Sequence, residues 1–206
     1  PFSRWFDEYA KVERAGEAGD VVLFATCYGE YNLPSVARAA VRVLEHNGFR
    51  VNLPGDARGP DGKRKRSGAA TCCGMPNLDG GDVDAFARKV EENVALLYPQ
   101  VEAGMRVVVP GPTCSYTMKR EWPAYVPRPE VRAVADATMD LMEFLVDLGK
   151  KKKLALEFKN ALGNVAYHVA CHLRAQKIGA PGMRVLSKVQ DTDVRLVEEC
   201  SRSEEH

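Results

Sequence analysis

The chain has 206 residues, 45% of them hydrophobic and 28% charged, enough for one large or two small α/β units with a proper core. Its net charge of +1, from 29 basic and 28 acidic side chains, gives no long-range attraction to nucleic acid; the short basic clusters at residues 63–66 and 150–153 are expected to be solvated loop and helix-end charges, with docking of an acidic partner as the alternative. No stretch approaches the roughly 18–20 consecutive apolar residues of a membrane helix and no export signal is visible, so a cytoplasmic location is expected, with membrane contact peripheral, at the inner face, or through a partner.

In chain order, residues 1–18 form a mixed, charged lead-in that starts at Pro1 without a Met, as a processed product or a piece of a longer polypeptide would. Residues 20–25 (DVVLFA) are a short β-branched run, the mark of a buried strand, and lead into Cys27. Pro34 opens a helix with Val36, Ala40, Val43 and Leu44 on one face, closed by Asn47 and Gly48, and FRVNL follows as a second strand. Strand, helix, strand with these connections predicts a βαβ unit and a parallel sheet. Residues 54–70 lack apolar periodicity and are expected to be an exposed, mobile loop ahead of Cys72-Cys73-Gly74.

Asp82 is a candidate cap for a helix carrying Val83, Phe86, Ala87, Val90, Val94 and Leu97 at helical spacing, ended by Gly104. RVVV at 106–109 is the next strand, broken by Pro110-Gly111-Pro112 just before Cys114. Residues 130–148 predict one long amphipathic helix whose Met and Leu stripe is core packing. VAYHVA then runs as a strand into Cys171, residues 180–189 form a helix, and residues 193–197 make a last strand before Cys200. The fold class is therefore α/β, built of two related parallel βαβ-type units with the second truncated: a lead-in (1–18), a first module (19–126), a connecting helix and linker (127–163) and an incomplete second module (164–206).

Six cysteines without an export signal favour metal or redox use over a disulfide framework. The adjacent Cys72 and Cys73 cannot form an ordinary unstrained disulfide with each other. In an open parallel sheet, ligand sites lie beyond the carboxyl ends of the strands, where Cys27, Cys114, Cys171 and Cys200 fall. Cys72 and Cys73 stand before a helix, where backbone N–H groups are expected to lower a thiol pKa. Converging thiolates suit iron–sulfur clusters or zinc. His172, beside Cys171, is the better candidate among the histidines for a ligand or proton partner; His168 is more readily satisfied by backbone, and His46 and His206 read as surface residues. Gly74 suits a close approach of backbone to the centre, Pro76 and Pro110 fix turns around it, and Tyr28, Tyr116 and Trp122 line a cleft or pack in the core. No dinucleotide fingerprint, P-loop or Ser-His-Asp signature appears, so a flavin or nicotinamide site belongs to a partner.

The spacing is C-x44-CC-x40-C, followed by C-x28-C. With CYGEYNLP, TCCGMPNLDGGD, PGPTCSYTMKREWP and YHVACHLRAQKIG around the cysteines, this resembles the cysteine-rich CCG module that occurs in heterodisulfide reductases, in anaerobic glycerol-3-phosphate dehydrogenase, and in related proteins of glycolate and lactate oxidation. The resemblance extends from about Asp20 to Cys200. It implies an electron-transfer component of an oxidoreductase, with a 4Fe-4S type cluster or zinc held by Cys27, Cys72, Cys73 and Cys114, and a flavoprotein or ferredoxin-type subunit as partner. The alternatives are a structural zinc module used for assembly and a metal-free thiol/disulfide redox protein. The sequence departs from the heterodisulfide reductase pattern in three places. Thr117 stands where that family has the second cysteine of CxxC, which argues against the full noncubane cluster; the first interval is lengthened by GDARGPDGKRKRSG; and Cys200-Ser201 replaces a second CC pair. Cys171 and Cys200, on this reading, join the first centre, bind zinc with histidine, or stand idle.

Overall fold

The computed structural model describes residues 1–11, 16–58, 64–155, 157–158 and 160–197. The lead-in contains helix α1 (Phe2–Tyr9), an ordered part of the fold because Phe2 and Phe6 are buried. Strand β1 (Gly19–Leu23) is followed by a π-helical turn at Tyr28–Asn32, helix α2 (Pro34–His46) and strand β2 (Phe49–Asn52). The buried face of α2 is Ala37, Ala40, Val41 and Leu44; Val36 and Val43, expected there, are each 37% exposed. Both sets fit a helical stripe, and the small alanines win because the helix packs tightly on the π-turn: a Cβ on Gly29 would stand 3.3 Å from that of Ala37.

Residues 54–70 are not the featureless loop expected from composition. Strands β3 (Asp56–Arg58) and β4 (Arg64–Arg66) pair antiparallel, with the hairpin tip at 59–63 outside the described residues. Polar bonds order this segment, which is why hydrophobic periodicity is blind to it. The buried carboxylate of Asp56 accepts from the Leu53 N–H (2.7 Å) and pairs with Nε of Arg64 (2.9 Å) and of Arg66 (2.8 Å). Buried Gln100 donates to the carbonyls of Leu53 and Asp56, each at 3.0 Å.

Helix α3 (Met75–Asp79) precedes the long helix α4 (Val83–Glu102), which Asp82 caps by accepting from the Ala85 N–H at 2.9 Å. Val83, expected on the apolar stripe of α4, is 43% exposed at its first turn. Strand β5 (Arg106–Val109) leads into α5 (Pro112–Tyr116), a second π-helical turn at Thr117–Glu121, α6 (Trp122–Tyr125) and α7 (Pro129–Ala137). The single helix expected over 130–148 is in fact two, separated by strand β6 (Thr138–Asp140), with α8 (Leu141–Lys150) after it. Thr138 is extended, its hydroxyl donates back to the Val134 carbonyl at 2.7 Å, and Thr138, Met139 and Asp140 pair with Val107, Val108 and Val109. A strand position beside β5 and a β-branched residue outweigh a stripe that is helical on both sides of it.

The sheet order is β2-β1-β5-β6, and every neighbouring pair is parallel. The chain leaves β1 toward one edge and returns to β5 on the other side, so strand order reverses between β1 and β5. That is the topological switch point, where open α/β sheets bind ligands. On one face Val22, Phe24, Val107 and Val109 pack with Phe86, Val90, Val94 and Leu97 of α4, Val131 and Val134 of α7, and Met118 and Trp122. Each such fully buried side chain contributes about 1.5–3 kcal/mol before entropy is counted. Val21, Leu23 and Val108, which alternate to the other face, are buried as well.

The chain divides into two compact units, Pro1–Leu141 and Met142–His206. Within the second, β7 (Gly163–His168) pairs parallel with β8 (Thr192–Val197), joined through α9 (Cys171–Ala175) and α10 (Pro181–Leu186). The architecture is thus α/β with two parallel sheets. Among the described residues no helix is long and apolar enough to cross a membrane.

Candidate metal centre

Cys27, Cys72, Cys73 and Cys114 all line one cleft of about 610 Å³, together with Ala25, Tyr28, Met75, Pro76, Pro110 and Gly111. It opens where β1 and β5 end. Cys27 follows β1, Cys114 stands in α5 directly after β5, and the vicinal pair enters from the segment before α3. Contacts join neighbouring sulfurs: Cys27 Sγ is 4.0 Å from Cys72 Sγ, Cys72 contacts Cys73, and Cys73 contacts Cys114. Cys73 is buried, Cys72 and Cys114 are half-buried, and Cys27 is exposed. Among the described residues, no three His, Cys, Asp or Glu side chains form a ready-made cage for a single metal ion.

Local backbone explains these positions. Thr26, just before Cys27, has φ +65°, a rare conformation for a β-branched residue, and its hydroxyl accepts from the Gly29 N–H at 3.2 Å. Gly74 has φ +93°, and a Cβ there would lie 2.6 Å from the Phe86 ring, so the third letter of CCG serves both a left-handed turn and close packing on α4. Trp122 is buried in the core, not in the cleft wall, and its indole Nε1 donates to the Cys73 carbonyl at 2.9 Å. Tyr28 does line the cleft, as do Pro76 and Pro110.

Sequence reasoning missed Asn93, fully buried on α4. It accepts from the Thr71 N–H (3.0 Å) and donates to the Cys72 carbonyl (3.1 Å). Its signal was an amide on the stripe Phe86, Val90, Val94, Leu97, a position that only a partnered polar group can hold. Also unforeseen is the engagement of Thr117. Its hydroxyl donates to the Thr113 carbonyl at 2.8 Å and the residue is fully buried, so it is committed to its own helical turn.

The thiol pKa values run opposite to the expectation from the helix junction. Cys72 is raised, first by its contact with the Cys73 thiol and then by burial, against the Gly74 N–H, which favours the thiolate. Cys73 is pushed up to about 12, first by Cys114 and also by burial, against Cys72 and the Met75 N–H. Cys27 is raised by burial and by Cys72. Thiols this close cannot all ionise side by side without a compensating cation. The same crowding suits soft metal, because metal binding expels the protons and neutralises the assembled thiolates. The donor set therefore fits a thiolate-held group. As free nucleophiles these thiols are poorly prepared.

The remaining candidates lie in the second unit. Cys171 is exposed at the start of α9, with half-buried His172 beside it, and His168 is exposed at the end of β7. Cys200 and His206 lie outside the described residues.

Residues 63–119 match the family model described as "Cysteine-rich domain", which includes Cys72, Cys73 and Cys114. Among curated proteins, the chain is 29% identical to lactate utilization protein A of an Exiguobacterium species over 75% of this chain and 57% of that protein. It is 30% identical to lactate utilization protein A of Bacillus cytotoxicus over 85% of this chain and 67% of that protein. It is 29% identical to a subunit of the fumarate reductase (CoM/CoB) of Methanothermobacter marburgensis over 81% of this chain and 28% of that protein. The chain spans 57% to 66% of the length of the first three relatives it matches, all lactate utilization proteins A. No solved structure matches. With the C…CCG…C thiols on one cleft and relatives of this kind, the chain belongs to the family of cysteine-rich CCG-domain proteins.

Proposed function

We propose that the chain is an iron–sulfur electron-transfer component of an oxidoreductase, its cluster held by Cys27, Cys72, Cys73 and Cys114. One observation carries this reading: four thiols that begin and end 87 residues apart line a single cleft at the switch point of a parallel sheet. When bound, the cluster supplies one-electron storage. The protein's own part is to bring the thiolates together, exclude water on the core side, and aim backbone N–H groups at sulfur, all of which tune potential.

A cleft of about 610 Å³ lined by all four cysteines has room for a group with several metal corners, more than one tetrahedral zinc ion needs. Thr117, turned into its own helix, leaves four thiolates rather than five, which supports the 4Fe-4S type. The relative named as part of a fumarate reductase supports work within a complex, with a flavoprotein or ferredoxin-type subunit as electron partner. Residues 19–126 then form one module and residues 164–206 an incomplete second, since β7, Cys171, α9 and β8 repeat the order β1, Cys27, α2, β2.

Anaerobic purification or reconstitution with iron and sulfide, followed by iron, sulfide and zinc analysis and EPR, tests the reading. A coloured protein with iron and labile sulfide in cluster stoichiometry and an EPR signal on reduction is expected. A colourless protein with about one zinc and no iron per chain would overturn it.

A further inference from the structure

Hydrogen bonds behind a ligand residue orient it and tune the centre it holds. Here the two carbonyls are each captured by a fully buried donor: Trp122 Nε1 holds that of Cys73 at 2.9 Å, and Asn93 Nδ2 holds that of Cys72 at 3.1 Å. Asn93 is itself fixed by the Thr71 N–H and hydroxyl and by the Lys89 carbonyl. In a planar trans peptide the N–H points opposite to the C=O. Drawing the Cys73 carbonyl into the core therefore directs the Gly74 N–H outward, and that N–H is bonded to Cys72 sulfur. Holding the Cys72 carbonyl turns the Cys73 N–H away from the core in the same way.

Resting on the proposed cluster role, we infer that Trp122 and Asn93 are positioning residues for the thiolate centre, orienting the 72–74 peptides so that the Gly74 N–H faces the Cys72 sulfur and holds the centre's reduction potential up. Hydrogen bonds to sulfur favour the more electron-rich reduced state, so their loss moves the potential down. Neither side chain touches the cleft side of the sulfurs, and neither titrates in the working range.

The test uses Trp122→Phe, which keeps an aromatic ring and removes the donor, with Asn93→Ala as a second variant should the first not fold. Two readouts are taken on the whole chain. In the metal-free protein, amide hydrogen exchange at Gly74 should accelerate at least ~10-fold in Trp122→Phe, while amides of β1 and β5 keep their protection. After loading with iron and sulfide, the variant should retain the wild-type iron content and show a midpoint potential shifted to more negative values. Asn93→Ala should accelerate exchange at Thr71, whose N–H donates to Asn93 Oδ1 at 3.0 Å, by the same criterion and shift the potential in the same direction. Unchanged local exchange, uniform acceleration of all core amides, or an unshifted potential would overturn the inference. If the wild-type chain takes up no iron, the cluster reading fails, and the exchange experiment alone still decides whether Trp122 positions the vicinal pair.

Discussion

Cys27 and Cys171 each follow a parallel strand that runs into a helical turn and both are exposed, yet the two junctions differ in what surrounds the sulfur. Cys27 stands at the end of an inner strand, next to the reversal of strand order between β1 and β5, with three further thiols on the same cleft wall. Cys171 stands at the end of a two-stranded sheet and is the one cysteine among the described residues of its unit. A cysteine after a strand is therefore not yet a site. The sheet must also present a neighbouring strand end that brings a second sulfur, and a core that braces the loop carrying the others.

The largest effect that separates the two junctions is on metal content. Cys73→Ser should lose the visible chromophore and most of the bound iron while helical CD is largely kept, and Cys171→Ser should keep full iron. Equal loss in both variants, measured by iron analysis and absorbance, would erase the distinction between the two units.

A smaller effect concerns glycines that share a left-handed φ but not their surroundings. Gly74 combines φ +93° with a Phe86 ring that would lie 2.6 Å from an added Cβ, whereas Gly163, at the start of β7, has φ +65° and open space where its Cβ would stand. Gly74→Ala should cost roughly 1–3 kcal/mol and Gly163→Ala about 1 kcal/mol, read as falls in thermal midpoint. A larger cost at Gly163 would mean that the second junction is the more tightly built.

The smallest effect is electrostatic and belongs to the metal-free protein. Cys73 is pushed from the ordinary 9.0 up to about 12 in the fold. The folded chain thus keeps a proton that the unfolded chain releases above pH 9. The stabilising share is fully present below pH 9 and is lost as pH rises from there through about 12. Cys73 alone should account for about 1 kcal/mol of the stability that denaturant titrations lose between pH 9 and 10, and Cys73→Ala should make that slope shallower, leaving the part due to Cys72 and Cys27. A metal-free fold that grows more stable over this interval would contradict the assigned contact between Cys73 and Cys114.

Much of this arrangement is legible in the sequence. Val21, Val22 and Leu23, and likewise Val107, Val108 and Val109, are short β-branched or apolar runs whose burial follows from composition, and a cysteine or Pro-Gly-Pro at their ends marks where they stop. What is not legible depends on partners distant in sequence. Asp56 orders a hairpin through Arg64 and Arg66, so a segment with no apolar pattern folds on charge pairs. Thr138 becomes a strand because β5 offers a free edge, which local helical periodicity does not report. Asn93 braces the cysteine pair from a helix face that otherwise reads as plain core. The thiol pKa values also reverse the local expectation: the N–H groups of Gly74 and Met75 are outweighed by neighbouring sulfur, adjacent Cys73 acting first on Cys72 and distant Cys114 first on Cys73, with burial adding to both.

X-ray absorption at the metal edge of the anaerobically loaded chain tests the central claim most directly. Four thiolates sharing a multi-metal centre predict an all-sulfur first shell at iron with a clear metal–metal scattering path, both lost in Cys73→Ser. A single metal atom with no metal neighbour, or a first shell containing imidazole nitrogen, would contradict it.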